Sequence, residues 1–540
     1  MKPTSWLFFA LILLTIARIF IGAFSELSGD EAYYFLWAER LDWSYYSKGP
    51  GVATVIWLST ALFGESELGV RILSPLLGLG TSYLLFRLAR QLLSTRVAIG
   101  VVIMLNLTPI FNVGSIVLTI DPLMLFFWVA AMLTTWKAAH DDGKIGWWMF
   151  TGLLIGLGFL AKYTAAIQIV SIAIFLAVWP KGRAQFRQRG FYAMIGVLLL
   201  CTTPVLIWNS QNCWITVVHL FQHLGIHLNF CPEEAIPIPA ASSNESEGFK
   251  LGPDIFVYLG YHLAVYSPLI FAGMFWALII GLKRFRASAA EIFLGSFSLP
   301  IILGYFLISV FKMGDVNWTA PGFFGVGILL IRYFDDWKPR LAWKRTFAAS
   351  AAAGIGAIMT VLVVNSDVIR GVGAPWPYET DPGARLRGWT AAAEALDEHT
   401  RQFAEETGET PFLIGGRYQV SAGIAFHLPD DLPVIRPNDE YPVIHMLQSK
   451  DGSIHNQFAF WPTYYDKESA PFVDANALFI TDTLGDRLTP PSVIRDNFKD
   501  WALIDSIVIE RRDIPLHEWK IFACYGFKTK DEEEEDDGHR

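Results

Sequence analysis

The sequence predicts a mostly α, polytopic helical membrane protein with about 11 transmembrane helices and a C-terminal extracytoplasmic α/β domain. Three observations lead to this fold class. The 540-residue chain is 53% hydrophobic and 14% aromatic, which is more apolar than ordinary soluble proteins. Many of its apolar runs reach the roughly 20 residues that a helix needs to cross a bilayer. Residues 365–540 have no such run and carry Pro-rich turns between helix-like and strand-like pieces.

The apolar runs divide into eleven predicted spans. The first is too long for a signal-peptide core and lacks a convincing cleavage site, so we interpret it as a retained helix. Residues 51–63 are apolar but short and follow a Gly-Pro pair, which indicates an interfacial helix. The predicted spans are residues 5–24, 68–88, 97–115, 120–137, 146–162, 164–180, 191–208, 255–281, 290–311, 318–333 and 346–364.

Lys and Arg residues concentrate in alternate loops between these spans. By the positive-inside rule, this asymmetry places the N-terminus in the cytoplasm and the C-terminal domain outside. The predicted organisation is a transmembrane domain with a catalytic outer loop and a second outer loop, then an α/β domain, then an acidic tail expected to be disordered. These parts are residues 1–364 with loops 25–67 and 209–254, residues 365–530 and residues 531–540.

Ionisable side chains collect at the predicted outer ends of the helices. Such groups are costly near a membrane and are therefore expected to be functional or paired. A transporter would place them at the bilayer midplane on broken helices, whereas here they favour a reaction at the outer surface. The chain also lacks a P-loop, which makes an energy-driven pump a poor fit. The residues concerned are Asp30, Glu31, Lys48, Asp121, Lys162, Lys312 and Asp315.

The adjacent pair Asp30 and Glu31 offers carboxylates that could act as a general base. The structural alternative is that Asp30 caps the helix predicted for the sequence EAYYFLWAERL. Lys48 precedes a Gly-Pro turn, where its ammonium suits a phosphate group. Its alternative role is snorkelling toward the lipid headgroups, and the same ambiguity holds for Lys162 and Lys312.

The histidines of HLFQHLGIHLNFCP recur at a spacing of four residues, at positions 219, 223 and 227. Two residues four apart on a helix can chelate one metal ion, so a divalent metal could bind His219, His223 and His227. Successive steps of four drift around a straight helix, and an interfacial helix is the competing interpretation. No cofactor is required by the sequence. Cys213 and Cys231 could pair or remain free thiols.

Seven segments of the chain carry a resemblance to one family: DEAYYFLWAERLDWSYYSKGPGVA, TIDPLMLFF, GLLIGLGFLAKYTA, WNSQNCWITVVHL, VNWTAPGF, LRGW and GGRYQVSAGIAFHLP. Together they resemble the family 39 type of C-fold glycosyltransferases, which includes protein O-mannosyltransferases and the aminoarabinose transferase that modifies lipid A. They run in family order along nearly the whole chain. Where many relatives have His-Pro-Pro or Lys-Pro-Pro, this chain reads Lys48-Gly49-Pro50.

This resemblance implies inverting transfer of a sugar from a polyprenyl-phosphate donor to an acceptor hydroxyl at the outer face of a bacterial inner membrane. The acceptor would be lipid A, an envelope glycan or a protein; nucleic acid is not an expected partner. Asp30 would be the catalytic base and Asp121 would position donor or acceptor, with Glu31 as a supporting acid. Lys48 and Lys162 would bind the donor phosphate. Further candidates for the donor or acceptor pocket are Tyr45, Tyr46, His219, Lys312, Asp315, Asn317 and Trp318.

Two other functions remain open at the level of the sequence. The first is a non-enzymatic transporter or flippase for lipid-linked glycans with an outer binding domain. The second is a receptor-like scaffold in which Asp30 only caps a helix. The identities of the sugar and of the acceptor are not visible in the sequence, because they depend on a few pocket contacts.

Overall fold

A computed structural model describes most of the chain. The described residues are 2–141, 144–223, 230, 254–311, 314–339, 341, 343–371, 381, 383–447, 454–465, 470–482, 488–511 and 514–528.

Helices account for most of the described structure. In chain order they are α1 Pro3–Ala23, α2 Gly29–Glu39, α3 Gly51–Phe63, α4 Glu67–Arg71, α5 Leu73–Leu92, α6 Thr95–Asn106, α7 Pro109–Val113, α8 Ile120–His140, α9 Ile145–Ala161, α10 Ile167–Val178, α11 Arg189–Gln211, α12 Ile215–His223, α13 Asp254–Tyr266, α14 Pro268–Arg284, α15 Ala289–Phe311, α16 Ala320–Asp336, α17 Trp343–Val364, α18 Asp367–Gly371, α19 Trp389–Thr407, α20 Tyr418–Ala425 and α21 Ser492–Asn497. The strands are β1 Phe412–Gly415, β2 His445–Met446, β3 Ala477–Asp482, β4 Phe498–Arg511 and β5 Ile514–Phe527.

The chain forms two compact units, which we describe separately. The first, called the helical unit here, comprises the described residues of 1–24, 41–226 and 246–368. The second, called the sheet unit, comprises residues 25–40 and the described residues of 369–540. The predicted outer loop 25–67 is thus divided at residue 40 between the two units.

The helical unit confirms a mostly α protein with helices suited to crossing a membrane. Within the described residues, six helices are long and apolar enough to span a bilayer, and α13 with α14 would make a seventh. That pair bends by 111° at Ser267, whose φ is 70°. Every predicted span contains a helix, but α6, α9 and α10 are short, so the count of eleven stays a prediction. Residues 51–63 form the short helix α3, as expected.

The sheet unit is built on five strands in the order β2-β1-β3-β5-β4. The strand β1 runs parallel to its neighbours β2 and β3, whereas β5 is antiparallel to β3 and β4. All four residues of β1 are buried, as expected for a parallel strand covered on both faces. One face packs Leu413, Ile480 and Trp519 against Trp389 of α19, and the other packs Phe412 and further aromatic rings.

Candidate active-site residues

Asp121 lies at the second residue of α8, where Thr119 caps the helix. Its carboxylate has a partner on each oxygen: Lys162 Nζ is 2.7 Å from Oδ1, and Asn317 Nδ2 donates to Oδ2 at 2.7 Å. The position also suits a negative charge, because helix N-termini carry a partial positive charge. The chain therefore fixes this carboxylate by a cation, an amide and a helix end.

Lys162 follows the last residue of α9 and begins the 3₁₀ turn at Tyr163–Ala166. Its side chain is only 9% exposed, against 16% for that of Asp121. A buried ammonium is stable only beside an opposite charge, so the pair and its burial belong together. The sequence placed both residues at outer helix ends, and the structure brings them into contact across 41 positions.

The turn at Lys48 packs against the same end of α9. A Cβ added to Gly49 would lie 2.4 Å from the carbonyl oxygen of Leu160, so no side chain fits there. The Lys48 carbonyl accepts hydrogen bonds from the Tyr45 amide at 3.0 Å and the Ser44 hydroxyl at 3.2 Å. Glycine at position 49, where many relatives have proline, thus permits the backbone of the Lys48 turn to approach the helix end that carries Lys162.

The two adjacent tyrosines of this loop are buried, and burial raises the pKa of Tyr46 to about 12 and that of Tyr45 further. Both phenols therefore remain protonated at neutral pH. The Tyr45 carbonyl accepts from the Thr216 hydroxyl at 3.3 Å, and the Tyr46 ring lies 4.7 Å from the ring of His219. These contacts join the loop to α12.

A cavity of about 270 Å³ lies within the helical unit. Asp121 and Asn317 line it together with Thr119, and most of the remaining lining is apolar, contributed by residues such as Phe111 and Leu125. This arrangement can accommodate an amphiphilic ligand with an apolar chain and a polar head.

The remaining predicted pocket residues fall into two groups. Asp315 is exposed and precedes the 3₁₀ turn Val316–Thr319, which carries Asn317, and Trp318 packs 5.4 Å from Tyr305. Lys312 lies outside the described residues.

Among the described residues, no three His, Cys, Asp or Glu side chains are placed to hold a metal ion. His227 and the side chain of His223 lie outside the described part of the chain, so the three-histidine site stays a prediction. Cys213 is disulfide-bonded, whereas Cys201 and Cys524 are free thiols. The predicted partner, Cys231, also lies outside the described residues.

Asp30 lies in the sheet unit, at the second residue of α2, and it is exposed. The sequence left open whether Asp30 caps this helix, and the structure gives the cap to Ser28 instead. The Ser28 hydroxyl accepts from the Glu31 amide, and the Glu31 carboxylate accepts from the Ser28 amide at 2.9 Å. Glu31 is fully buried in this reciprocal cap. Asp30 is thereby left without a capping role.

The sequence missed the partner of Asp30. The Tyr418 hydroxyl, at the start of α20, donates to Asp30 Oδ1 at 3.0 Å. Burial first, and then the charge of Asp30, raises the pKa of Tyr418, so this phenol stays protonated and able to donate. Arg417, the residue before it, forms an ion pair with Asp482 at the end of β3. Tyr418 lies in the segment GGRYQVSAGIAFHLP, and that match was the signal that could have marked it.

Comparison with known proteins places this fold. The chain aligns over 97% of its length with 98% of the crystal structure of ArnT from Cupriavidus metallidurans bound to undecaprenyl phosphate, with a TM-score of 0.59 and 15% identity. The apo structure of the same protein gives a TM-score of 0.58. The chain has the fold of ArnT. The resemblance predicted from the sequence motifs is confirmed.

Sequence comparisons agree with the fold. Residues 47–208 match the family described as dolichyl-phosphate-mannose-protein mannosyltransferase. The chain is 26% identical to the lipid A galacturonosyltransferase RgtD of Rhizobium johnstonii, over 58% of this chain and 61% of that protein. It is 33% identical to the undecaprenyl phosphate-alpha-4-amino-4-deoxy-L-arabinose arabinosyl transferase of Edwardsiella ictaluri, over 28% of each chain. Both matches span less than two thirds of those relatives' own lengths.

Proposed function

We propose that the protein is an inverting glycosyltransferase that moves a sugar from a polyprenyl-phosphate donor to an acceptor hydroxyl on the outer face of a bacterial inner membrane. The observation that carries the proposal is the cluster of the buried Lys162 with Asp121 and Asn317, beside a mostly apolar cavity. A lipid phosphate combines an apolar chain with an anionic head, which is the chemistry that such a site would bind. ArnT was crystallised with undecaprenyl phosphate, a molecule of this class.

The proposed reaction assigns one role to each group of residues. Asp30 accepts the proton of the acceptor hydroxyl as its oxygen attacks the anomeric carbon. The bond between that carbon and the phosphate oxygen breaks, and polyprenyl phosphate leaves with the bonding electrons. Lys48 and Lys162 stabilise the negative charge on the departing phosphate, as preorganised cations do for other oxyanions. Asp121 holds Lys162 in place and helps to position the donor.

The names of the relatives indicate candidate substrates. Lipid A is the acceptor class of RgtD, while galacturonic acid and aminoarabinose are the sugars named for the two relatives. We propose lipid A as the first acceptor to test, with envelope glycans and proteins as the alternatives. The labelled donor that the protein consumes in the test below will show whether the sugar is a hexose or a pentose.

We also propose the orientation that the charge asymmetry predicts, with the N-terminus in the cytoplasm, about 11 spans, and residues 365–530 outside. The disulfide at Cys213 supports this orientation, because stable disulfides form in the periplasm and other oxidising compartments rather than in the cytosol. Cys213 follows α11 in the predicted outer loop 209–254.

The test uses purified protein in lipid nanodiscs, labelled undecaprenyl-phosphate sugars and an envelope extract that contains lipid A. Wild type is compared with Asp30→Asn and with Glu39→Gln, which removes an exposed carboxylate from the other end of the same helix. We expect transfer by wild type and Glu39→Gln and a loss of about 100-fold or more in Asp30→Asn. Equal transfer by folded Asp30→Asn would remove Asp30 as the base.

The bend between α13 and α14 is the observation that favours the transporter alternative, because transporters use broken helices. The same nanodisc preparation distinguishes the two functions. A transporter would bind the labelled lipid and form no new glycosidic product under any donor and acceptor combination.

A further inference from the structure

The helix that carries Asp30 is packed against α20 of the sheet unit. A Cβ on Gly29 would lie 2.5 Å from the Cβ of Gln419, so the two helices approach closely at this point. Further along, the Phe35 ring meets the ring of Phe426 at 5.0 Å. The sheet unit therefore fixes the position of α2 at two separate points.

Two hydrogen-bonded anchors reinforce this packing. The Glu26 carboxylate accepts from the backbone amides of Trp389 and Thr390, at 2.8 and 3.3 Å, and so caps the start of α19. The buried Tyr33 hydroxyl accepts from the Gln457 amide at 2.5 Å. Residues 25–40 are consequently held by α19, by α20 and by the turn at Gln457.

Tyr418 is itself held in place by its neighbours. Its ring packs 4.6 Å from that of Tyr33, and it begins α20 directly after Arg417, which is tied to Asp482. The phenol therefore meets Asp30 Oδ1 in a geometry that the sheet unit determines, and Oδ2 is not part of this hydrogen bond. A carboxylate that must accept a proton benefits from one oriented oxygen.

We infer that Tyr418 is a positioning residue for Asp30, by which the sheet unit orients the carboxylate that accepts the proton of the acceptor hydroxyl. The inference rests on the proposed function for the role of Asp30, but the contact can be tested independently of transfer. It assigns the sheet unit a part in the reaction: the unit carries and orients residues 25–40.

Several charged and titratable groups of the described residues lie around the contact. On α2 itself, Glu31 is engaged by Ser28. From α20 come Tyr418 and Arg417, and Arg385 acts on Tyr418 from the turn before α19. Asp482 is bound to Arg417. Because the Tyr418 hydroxyl donates to the ionised carboxylate, its removal should make Asp30 easier to protonate.

The test measures protonation of Asp30 directly. Full-length protein in nanodiscs is treated with a carbodiimide, which reacts with protonated carboxyls, and labelling at Asp30 is followed by peptide mass spectrometry across pH. Tyr418→Phe removes only the hydroxyl, and the pH of half-maximal labelling should rise by roughly 0.5 unit. Tyr525→Phe is the matched control, because it removes an exposed phenol on β5 and should leave that pH unchanged.

The kinetic measurement is made on the same variants. Tyr418→Phe should lower kcat about 5-fold with little change in KM, and the acidic limb of the pH–rate profile should move upward with the labelling midpoint. A labelling midpoint that does not move overturns the inference even if wild type transfers sugar. A midpoint that moves while wild type transfers nothing supports the contact and overturns the proposed function instead.

Discussion

Asp30 and Asp121 occupy the same position in their helices, the second residue after a Ser or Thr cap, yet their surroundings differ. Asp121 is largely buried, and each of its oxygens has a partner, Lys162 on one and Asn317 on the other. Asp30 is exposed, and the Tyr418 phenol contacts its Oδ1.

The difference separates two uses of one side chain. Asp121 contacts the buried Lys162 ammonium through one oxygen and the Asn317 amide through the other, so its carboxylate serves to fix that cation. An exposed carboxylate that accepts a hydrogen bond from a neutral phenol can exchange protons with a bound hydroxyl. The comparison therefore assigns structure and charge placement to Asp121 and proton transfer to Asp30.

The largest expected difference comes from making the same substitution at both positions. Asp121→Asn leaves the buried Lys162 ammonium without its counter-charge and should cost about 3 kcal/mol in the local stability of the helical unit. Asp30→Asn removes an exposed charge and should change stability by less than about 0.5 kcal/mol. Hydrogen-exchange mass spectrometry on peptides from α8 and α2 measures both local effects.

A matched pair of variants controls for charge alone. Asp121→Asn combined with Lys162→Met removes both charges and should recover much of the lost stability, because no unpaired charge remains buried. Equal destabilisation by Asp30→Asn and Asp121→Asn would remove the distinction between the two carboxylates.

A smaller effect is expected from removing the neutral partner at each site. Asn317→Leu leaves Asp121 Oδ2 without its amide and should cost about 2 kcal/mol around the start of α8. Tyr418→Phe should cost less than about 1 kcal/mol, because Asp30 is open to water. The loss of local stability, again measured by hydrogen exchange, should be larger for Asn317→Leu than for Tyr418→Phe. A larger loss at Tyr418 would mean that Asp30 is more enclosed than its exposure indicates.

Glycine substitution sharpens the comparison on the Lys162 side. Gly49→Ala would place a methyl group against the Leu160 carbonyl oxygen and should destabilise the end of α9 by about 1–2 kcal/mol. Gly146→Ala at the other end of α9 is the matched control, since a Cβ there meets nothing within 4 Å. If the α9 amides are equally protected from hydrogen exchange in both variants, the turn at Lys48 can move away from Leu160 without destabilising α9.

The smallest effect is expected at the cap on the Asp30 side. Ser28→Ala removes the hydroxyl that accepts from the Glu31 amide and should cost about 1 kcal/mol of the stability of α2. Ser28→Thr retains the hydroxyl, which also donates to the Glu31 carboxylate at 3.0 Å, and should restore most of the protection of the α2 amides. A Thr variant as weak as the Ala variant would indicate that Glu31 is held by packing rather than by the cap.

The membrane-protein class and the family resemblance were readable from the sequence, because apolar runs and ordered motifs are local features. The pairing of Asp121 with Lys162 could be predicted only in part. The sequence places both residues at outer helix ends, but the 2.7 Å contact depends on how α8 and α9 pack. The short helices α6, α9 and α10 show the same limit, since apolar composition alone does not fix where a helix ends.

The contact between Asp30 and Tyr418 joins residues 388 positions apart, and nothing in the local sequence specifies it. The capping pair was readable, because Ser28-Gly29-Asp30-Glu31 has the Ser-x-x-Glu spacing of a reciprocal cap. Assigning the cap to Ser28 is what separates Asp30 from a structural role.

The most direct test of the account is chemical rescue of the two carboxylates. Asp30→Ala and Asp121→Ala in nanodiscs are assayed for sugar transfer with and without added formate, a small carboxylate that can enter an open site and accept a proton. The account predicts that formate restores part of the lost rate in Asp30→Ala and none in Asp121→Ala. Full activity of Asp30→Ala without formate, or rescue confined to Asp121→Ala, would contradict it.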